Sequence, residues 1–114
     1  MNNTKLDGLS EGNVLGVVTG IARAASREEW NAQVDKAWPD VVAELSSNAG
    51  YIGVVALWNS NGSEEVSIVG VWETMEHRLA YEARSATRVR AIFNGLLVES
   101  PSRYKQVVTK ASWR

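Results

Sequence analysis

The sequence predicts a single α+β domain in which two amphipathic helices pack on a mostly antiparallel sheet. Its 114 residues are enough for one hydrophobic core but not for two. Hydrophobic residues make up 45% and charged residues 22% of the chain, as in an ordinary globular protein. Segments rich in β-branched residues alternate with segments of helical periodicity. We expect a loose polar arm over residues 1–12 and one domain over residues 13–114.

The first strand and the first helix follow the arm. The run from Val14 to Ile21 is rich in branched residues and predicts a strand with two apolar faces. Ser26 stands three residues before Glu29, the spacing of a capping box at a helix N-terminus. Pro39 is expected to kink this helix because its ring nitrogen cannot donate a hydrogen bond. The apolar stripe of the helix comprises Trp30, Val34, Ala37, Val41 and Leu45.

Two further strands form a predicted hairpin. Residues 51–58 and 65–72 are β-rich, and Asn61-Gly62 between them is typical of a tight turn. Residues of both parities are apolar in the first of these strands, which indicates that both faces of the sheet are covered. We therefore expect helices on one face and a second copy of the chain on the other.

The last third of the chain predicts helical segments and a final strand. Thr74 is a candidate cap for a helix through about Ala83, and Ser85 is a candidate cap for a further helical segment. Pro101 marks the exit, and residues 104–113 are expected to form the last strand. The resulting order, β-α-β-β-α-β, is the split βαβ arrangement of ferredoxin-like domains.

Composition excludes several classes of function. A formal charge of −1 and a pI near 5.8 do not favour nucleic-acid binding, which needs clustered cations. The absence of cysteine excludes disulfides and thiolate sites and leaves the cytoplasm as the expected location. No apolar run reaches the roughly 20 residues that cross a bilayer, and the first twelve residues do not resemble a signal peptide.

The motifs of common cofactor and metal sites are also missing. His77 is the only histidine, so a histidine metal site or a Ser-His-Asp triad is not expected. No dinucleotide-binding, P-loop or nucleophile-elbow motif occurs. We expect neither metal nor cofactor. Two alternatives remain for Glu73, Glu76 and Glu82: they could form a carboxylate metal site, or they could form the solvent-exposed face of a helix. His77 could act as a general base or be an exposed residue of a first helical turn.

Aromatic residues are the first candidate for a binding site. The chain has five tryptophans, and Trp58 and Trp72 flank the predicted hairpin, where they are expected to face each other. With Tyr51 they could line a cleft that stacks on a planar aromatic substrate. The alternative is that they form a core pair or anchor a dimer interface, since aromatics dominate both settings.

A group of arginines is the second candidate. Arg84, Arg88 and Arg90 follow Arg78, with Tyr81 between them. A guanidinium in a cleft can hold a phenolate, enolate or carboxylate through two hydrogen bonds. The alternative is that these arginines pair with nearby carboxylates or with a partner chain.

One stretch of sequence resembles a known family. Gly50-Tyr51 opens the second strand, a hairpin follows, and Val71-Trp72-Glu73 leads directly into a helix. This pattern, over most of the chain from Asn13 on, resembles the antibiotic biosynthesis monooxygenase family. The resemblance implies a homodimeric α+β barrel that binds a small aromatic molecule. Similar domains include cofactor-free oxygenases of polyketide tailoring, haem-degrading enzymes, lactone isomerases and proteins with no known activity.

The resemblance implies some site residues and departs from others. Family members commonly have a tryptophan at the position of Trp72. In the anthrone-type oxygenases, an asparagine four residues earlier and a tyrosine soon after help to hold the substrate. Here Ile68 stands at the earlier position and the nearest following tyrosine is Tyr81, so any substrate grip must be built differently. Haem-degrading relatives need a histidine about three helical turns along the next helix, and His77 comes too early to match it.

The leading hypothesis is a cofactor-independent monooxygenase-like tailoring enzyme for an aromatic or polyketide-type substrate. The alternatives are a non-catalytic dimeric ligand-binding protein and an isomerase or cyclase of the same fold. The candidate catalytic residues are Trp72, His77, Tyr81 and Arg88, and the candidate substrate-binding residues are Tyr51, Trp58 and Arg84.

Overall fold

The computed structural model describes residues 8–61 and 64–113, with only the backbone described for Glu99. The elements are β1 (Val14–Ala22), α1 (Arg27–Ser46), β2 (Tyr51–Trp58), β3 (Glu65–Trp72), α2 (Met75–Asn94) and β4 (Leu97–Val107). Their order along the chain is the predicted β-α-β-β-α-β.

The four strands form one antiparallel sheet in the order β2-β3-β1-β4. β3 pairs with β1, with Trp72 opposite Val14 and Ile68 opposite Val18. This is the ferredoxin-like strand order, and the predicted α+β fold class is confirmed. Both helices pack on the same face of the sheet, and the core lies between them. Its largest buried side chains include Trp30, Trp72, Leu97, Val41 and Val89.

The predicted caps begin both helices. The Ser26 hydroxyl accepts a hydrogen bond from the Glu29 N–H (3.1 Å), and the Glu29 carboxylate accepts one from the Ala25 N–H (2.9 Å). These contacts satisfy backbone donors that have no partner within the helix. Thr74 caps α2 by accepting from the His77 N–H (3.1 Å). α1 contains Pro39 and continues as one helix to Ser46.

The predicted break in the second helical region is wrong, because α2 is a single helix of 20 residues. Ser85 does not cap a new segment. Its side chain is buried between the helices, where its hydroxyl accepts a hydrogen bond from the Asn48 side-chain amide (3.2 Å). A serine can therefore lie inside a helix when a neighbouring helix supplies its hydrogen-bond partner.

The prediction for the last strand is also wrong in its bounds. β4 runs over Leu97–Val107 instead of residues 104–113 and includes Pro101. β4 is an edge strand that pairs only with β1, and its register shifts between Ser102 and Val98. Edge strands and bulges are the places where a sheet accepts proline.

The expected N-terminal arm lies partly outside the described residues, which exclude residues 1–7. The part from Gly8 to Gly12 contacts the C-terminal segment. The Gly12 N–H donates to the Val108 carbonyl (2.9 Å), and the Trp113 indole N–H donates to the Leu9 carbonyl (2.6 Å). The end of the predicted arm is therefore held against the chain after β4.

The predicted hairpin joins β2 and β3. The Asn59 N–H donates to the Glu65 carbonyl (3.2 Å) and closes the turn. Gly62 of the predicted Asn-Gly pair lies outside the described residues.

The face of the sheet opposite the helices is apolar. Val17, Val55 and Val69 lie in one row across β1, β2 and β3 on this face. Several large apolar side chains of this face are more than a third exposed: Ile21, Val55, Leu57, Val98 and Tyr104. Within residues 8–61 and 64–113, neither helix has the length and apolarity to cross a bilayer.

Candidate functional site

A small cavity lies between α2 and the helix-facing side of the sheet. Its volume is ≈ 30 Å³, room for about one or two water molecules. Four polar side chains line it, those of Arg78, Tyr81, Arg90 and Arg103. The remaining lining residues are apolar and come mostly from β1, β2, β3 and α2; they include Val18, Val54, Ile68, Val89 and Phe93.

Three aromatic rings stack beside this cavity. The Trp72 side chain is fully buried, and its ring lies 4.8 Å from that of Tyr81 at an interplanar angle of 29°. Tyr51 meets the other side of Trp72 edge-on, with ring centroids 5.9 Å apart. The geometry of both pairs is favourable for aromatic side chains. Of these three residues Tyr81 lines the cavity, and the Trp72 ring supports it.

The Trp72 indole N–H has no hydrogen-bond acceptor among the described residues, although it is buried. A Cβ atom at Gly70 would stand 3.3 Å from this nitrogen, so the glycine leaves the space beside it open. Unsatisfied buried donors are uncommon in proteins and often mark functional positions. This donor lies next to Gly70, which itself lines the cavity.

Arg78 covers the cavity next to the aromatic stack. Its guanidinium carbon lies 4.9 Å from the centre of the Tyr81 ring, within the range of a cation–π contact. Its Nε donates to the Glu82 carboxylate (2.7 Å), which also accepts from Lys105 (3.0 Å). A Cβ atom at Gly16 would overlap the terminal nitrogens of Arg78. The glycine in β1 is therefore what allows the guanidinium to lie flat against the sheet.

The site carries an excess of positive charge. Arg78, Arg90, Arg103 and Lys105 supply four cations, whereas Glu82 is the one carboxylate that forms an ion pair with any of them among the described residues. Partial burial and the nearby charge of Arg90 lower the pKa of Arg103. The chain as a whole has a formal charge of −1, so this concentration of cations is local.

The pKa values of the two other ionisable groups follow from their surroundings. Burial raises the pKa of Tyr81, against the opposing effect of Arg78 and Arg90. Tyr81 is therefore a neutral phenol at physiological pH and can donate a hydrogen bond. Burial alone would raise the pKa of Glu82, but its hydrogen bonds to Arg78 and Lys105 outweigh that effect and lower it.

Comparisons with known proteins show which solved structures share this architecture. No protein-family model matches the sequence, and no curated protein matches it significantly. Solved structures do match. SnoaB, a cofactor-independent oxygenase from Streptomyces nogalater, superposes with a TM-score of 0.61 at 12% identity, over 90% of this chain and 96% of SnoaB. A Bordetella bronchiseptica protein provisionally assigned as an antibiotic biosynthesis monooxygenase gives a TM-score of 0.64 at 16% identity, over 88% of this chain and 100% of that protein.

The chain has the fold of the antibiotic biosynthesis monooxygenases. The resemblance noted in the sequence is confirmed at the level of this fold. Proteins without an assigned activity share the fold as well. One is NE2512 from Nitrosomonas europaea, of unknown function, with a TM-score of 0.60 at 18% identity over 90% of this chain and 94% of that one.

Within the antibiotic biosynthesis monooxygenase fold, three sequence candidates meet beside the cavity, and Tyr81 is the one of them that lines it. Trp72, Tyr81 and Tyr51 form the aromatic stack described above. The expectation that Trp58 faces Trp72 is wrong. In the antiparallel register of β2 and β3, Tyr51 pairs with Trp72, whereas Trp58 lies at the other end of the hairpin. Trp58 packs against Trp30 of α1, with ring centroids 6.5 Å apart.

Two of the predicted arginines lie outside the cavity. Arg88 is exposed and pairs with Glu44 of α1 (2.8 Å). Arg84 donates to the Ser47 carbonyl (2.9 Å) at the C-terminus of α1 and to the Asn48 side chain (3.4 Å). Both side chains therefore join the two helices of the fold and do not line the cavity.

His77 also lies away from the cavity-lining residues. Its ring Nδ1 is 2.9 Å from the Thr74 hydroxyl, in the first turn of α2. The ring packs against Gly50, whose φ of 82° and lack of a side chain make room for it. His77 therefore lies beside the start of β2, and its contacts with Thr74 and Gly50 help to fix the first turn of α2.

Arg78 and Arg90 belonged to the arginine group singled out in the sequence but were not chosen as candidate site residues, and Arg103 was not singled out. Arg90 and Arg103 nevertheless each had a signal in the sequence. Arg90 shares a helix face with Ala86, Val89 and Phe93, at spacings of one, three and four residues that place all four on one side. An arginine on an otherwise apolar face is a signal for a polar site. Arg103 lies opposite Val18 in β4 and faces the core side of the sheet. It could not be placed while the last strand was expected to begin after it.

The described residues contain no group of three or more His, Asp or Glu side chains that could hold a metal ion. The three predicted carboxylates Glu73, Glu76 and Glu82 therefore do not form such a group.

Proposed function

We propose that this protein is a cofactor-independent oxygenase for an acidic, electron-rich aromatic compound of the anthrone type. The observation that supports it best is the cavity wall formed by Tyr81 and Arg78, in which a cation lies over an aromatic ring that itself stacks on Trp72. Such a wall suits a planar aromatic molecule that becomes an anion. The shared fold with SnoaB, described as a cofactor-independent oxygenase, adds support.

Arg78 is the residue proposed to stabilise that anion. Its Nε is occupied by Glu82, but its terminal N–H groups donate to no described residue. A guanidinium can offer two parallel donors to an enolate oxygen. Glu82 fixes the direction of the side chain, and Lys105 fixes Glu82 in turn. The donors are thus oriented before the substrate arrives, which is the condition under which they stabilise developing charge most effectively.

Tyr81 is proposed to donate a hydrogen bond to the oxygen-derived intermediate. Its ring is buried, its hydroxyl makes no hydrogen bond with a described residue, and the residue lines the cavity. Burial raises the pKa of this phenol and keeps it protonated. The Trp72 indole N–H is a second donor without an acceptor among the described residues. The two groups could hold a substrate oxygen in place of the asparagine found in the anthrone-type oxygenases.

The proposed reaction converts the ring methylene group of an anthrone, which lies across the central ring from the carbonyl, into a second carbonyl. The methylene carbon loses a proton and becomes a carbanion whose charge is shared with the oxygen held by Arg78. The carbanion transfers one electron to O2, and the resulting radical pair couples to form a peroxide anion. Protonation gives a hydroperoxide, which loses water to form the new carbonyl bond. In the net reaction one methylene group and one O2 give one carbonyl group and one water, and the substrate itself reduces O2.

The first proton is proposed to leave to solvent. The described residues that line the cavity include neither a carboxylate nor an imidazole, and His77 is held by Thr74 outside it. The surrounding guanidinium groups favour the anionic form of a bound substrate and so lower its pKa. Because the pKa of the bound substrate is lowered in this way, water is sufficient as the proton acceptor.

Substrate entry requires the site to open. A cavity of ≈ 30 Å³ is far smaller than the several hundred Å³ of a typical ligand pocket. The Arg78 side chain covers the cavity next to Tyr81 and is held there by contacts to Glu82 and Tyr81. We infer that the substrate enters by displacing this side chain from the slot above Gly16, after which the guanidinium closes on the substrate oxygen.

A second copy of the chain is proposed to cover the outer face of the sheet. On this face Ile21, Val55, Leu57 and Tyr104 are exposed around the buried Val17 and Val69. An apolar face of this kind is usually buried against a partner. Association of two identical faces about a twofold axis gives a closed homodimer and leaves the cavity on the opposite side of each sheet.

The proposal is tested by oxygen uptake with 1,8-dihydroxyanthrone in the presence of a chelator. Wild-type protein should accelerate uptake over buffer, and Arg78→Gln should lower the rate constant by about a hundredfold, as expected for loss of a preorganised anion donor. Arg88→Gln is the matched control, because Arg88 lies on the same helix but pairs with Glu44 outside the cavity.

Two outcomes would replace the proposal. Conversion of a panel compound without oxygen consumption would indicate an isomerase or cyclase. Binding without any conversion would indicate a ligand-binding protein. Equal rates for wild type and Arg78→Gln would contradict the proposal that Arg78 stabilises the substrate anion.

A further inference from the structure

Two of the guanidinium groups at the cavity act in the proposed reaction only through their charge and hold no substrate atom in it. Arg90 and Arg103 both line the cavity, yet neither forms an ion pair or hydrogen bond with another described residue. The one carboxylate nearby, Glu82, is already bound to Arg78 and Lys105. The exposed arginines Arg84 and Arg88, by contrast, have protein partners.

Arg90 and Arg103 converge from two different elements. Arg90 extends from the face of α2 that also carries Val89 and Phe93, and Arg103 extends from the core-facing side of β4. The charge of Arg90 acts on Arg103 and also on Tyr81. Both side chains border the same cavity of ≈ 30 Å³ as Tyr81, which brings the two arginines together beside that ring. Both residues are also exposed overall, as expected at the mouth of a cavity.

Two like charges held together without a counter-ion destabilise a fold, whereas an anion bound between them turns this repulsion into attraction. The chain has a formal charge of −1, so the pair is not part of a generally basic surface. A helix and a strand hold the two groups in fixed relative positions. Such a pair is suited to a planar carboxylate, which can accept hydrogen bonds on both of its oxygens.

We propose that the substrate carries a carboxylate, bound between Arg90 and Arg103 at the mouth of the cavity, in addition to the oxygen held by Arg78 inside it. This inference rests on the proposed function, since it assumes that an aromatic ring occupies the cavity. The substrate class is then an aromatic or polyketide-type acid with its acidic group at one end and the oxidisable methylene at the other. The carboxylate supplies orientation and affinity and takes no part in the transfer of electrons to O2.

The test compares two ligands that differ only in this group. They are 1,8-dihydroxyanthraquinone with a 3-carboxylate and the same quinone with a 3-methyl group. Both are already oxidised, so binding is measured without turnover by the quenching of tryptophan fluorescence. Wild type, Arg90→Gln, Arg103→Gln and Arg88→Gln are compared at the same ionic strength. Arg88→Gln removes the same charge from the same helix outside the cavity and so controls for a general loss of positive charge.

Wild type should bind the carboxylate about tenfold more tightly than the methyl compound, as expected for charge-assisted hydrogen bonds at a partly exposed site. Arg90→Gln and Arg103→Gln should each remove most of this preference, and Arg88→Gln should retain it. Equal affinity for the two quinones in wild type, or no binding of either, would overturn the proposal. So would an equal loss in all three variants.

Failure of this inference is distinguishable from failure of the proposed function. Oxygen uptake is therefore also measured with the two corresponding anthrones, which carry a 3-carboxylate or a 3-methyl group. If the two quinones bind equally while the 3-methyl anthrone still drives oxygen uptake, the proposed oxygenase function is retained and the carboxylate site is rejected. If the carboxylate is preferred but neither anthrone is oxidised, the arginine pair binds acids in a protein that does not oxygenate them.

Discussion

The ring of Tyr81 stacks on the buried ring of Trp72 at a centroid distance of 4.8 Å. This contact joins the middle of α2 to the end of β3 and sets one wall of the cavity. Arg78 lies above the same Tyr81 ring, one helical turn earlier. The stability of the fold and the geometry of the proposed site therefore depend on the same contact.

Trp72→Phe should lower the free energy of unfolding by about 1–3 kcal/mol, because a smaller ring leaves a gap in a fully buried position. Trp113→Phe is the control. Trp113 is 60% exposed, and its replacement should cost less than about 1 kcal/mol, the worth of one exposed hydrogen bond. Chemical denaturation followed by circular dichroism measures both. Equal destabilisation by the two variants would show that Trp72 is not a core residue.

Gly16→Ala should displace the Arg78 side chain, because the added Cβ would overlap its guanidinium. We expect a loss of about 1–3 kcal/mol in unfolding free energy from this overpacking. Gly53→Ala is the matched control in a strand of the same sheet, since a Cβ there meets no atom within 4 Å. It should be neutral or slightly stabilising.

A double-mutant cycle locates the cause of this loss. If Arg78 is the group displaced, Gly16→Ala should cost less in an Arg78→Ala background than in wild type. The same cost in both backgrounds would mean that Gly16 is required for another reason.

Alkaline pH should destabilise the protein through its buried phenols. Burial raises the pKa of Tyr81 and that of Tyr51. Above about pH 10 the unfolded chain loses these protons first and binds fewer protons than the folded chain, so stability falls as pH rises. The stabilising effect is present in full below the unfolded pKa and is lost as pH rises through the folded pKa.

Tyr81→Phe should make the decline of the unfolding free energy at alkaline pH shallower than in wild type. Adding Tyr51→Phe should reduce the remaining decline further. Urea denaturation between about pH 9 and about pH 11 measures the slope for each variant. An unchanged slope in Tyr81→Phe would indicate that the phenol ionises as easily in the folded protein as in the unfolded chain.

Leu57→Asp should dissociate the proposed homodimer by placing a charge on the outer face of the sheet. Leu57 is 48% exposed, and burial of an unpaired carboxylate in an interface is strongly unfavourable. Leu79→Asp is the control, because Leu79 is equally exposed, at 49%, but lies on α2. Sedimentation velocity should show a dimer for wild type and Leu79→Asp and a monomer for Leu57→Asp. A monomeric wild type at micromolar concentration would contradict the dimer.

Local sequence signals were sufficient for most of the fold. Ser26 and Thr74 predicted the starts of both helices because capping depends only on residues within one turn. The strands of the hairpin were predicted from their composition. The break at Ser85 and the bounds of β4 were wrong, because each depends on a distant partner. Asn48, just after the end of α1, satisfies Ser85, and the edge position beside β1 accommodates Pro101.

The candidate site was only partly predictable for the same reason. Trp72 and Tyr81 could be chosen as large aromatics near one strand end, but helix rotation decides which of the arginines along α2 faces the sheet. Arg78 and Arg90 do so, whereas Arg84 and Arg88 face α1. The slot for Arg78 depends on Gly16, which lies far earlier in the sequence, in β1. A glycine in one strand does not reveal which distant side chain will use the space it leaves.

The most direct test of the central claim is the fate of isotopically labelled oxygen. Wild-type protein is supplied with 1,8-dihydroxyanthrone under 18O2, with a chelator present, and the quinone is analysed by mass spectrometry at early times. The proposed reaction places one labelled atom in the new carbonyl and the other in water, with one O2 consumed per quinone and a rate well above that of buffer. A rate equal to buffer, or a quinone whose new oxygen comes from water, would contradict oxygenation at this cavity.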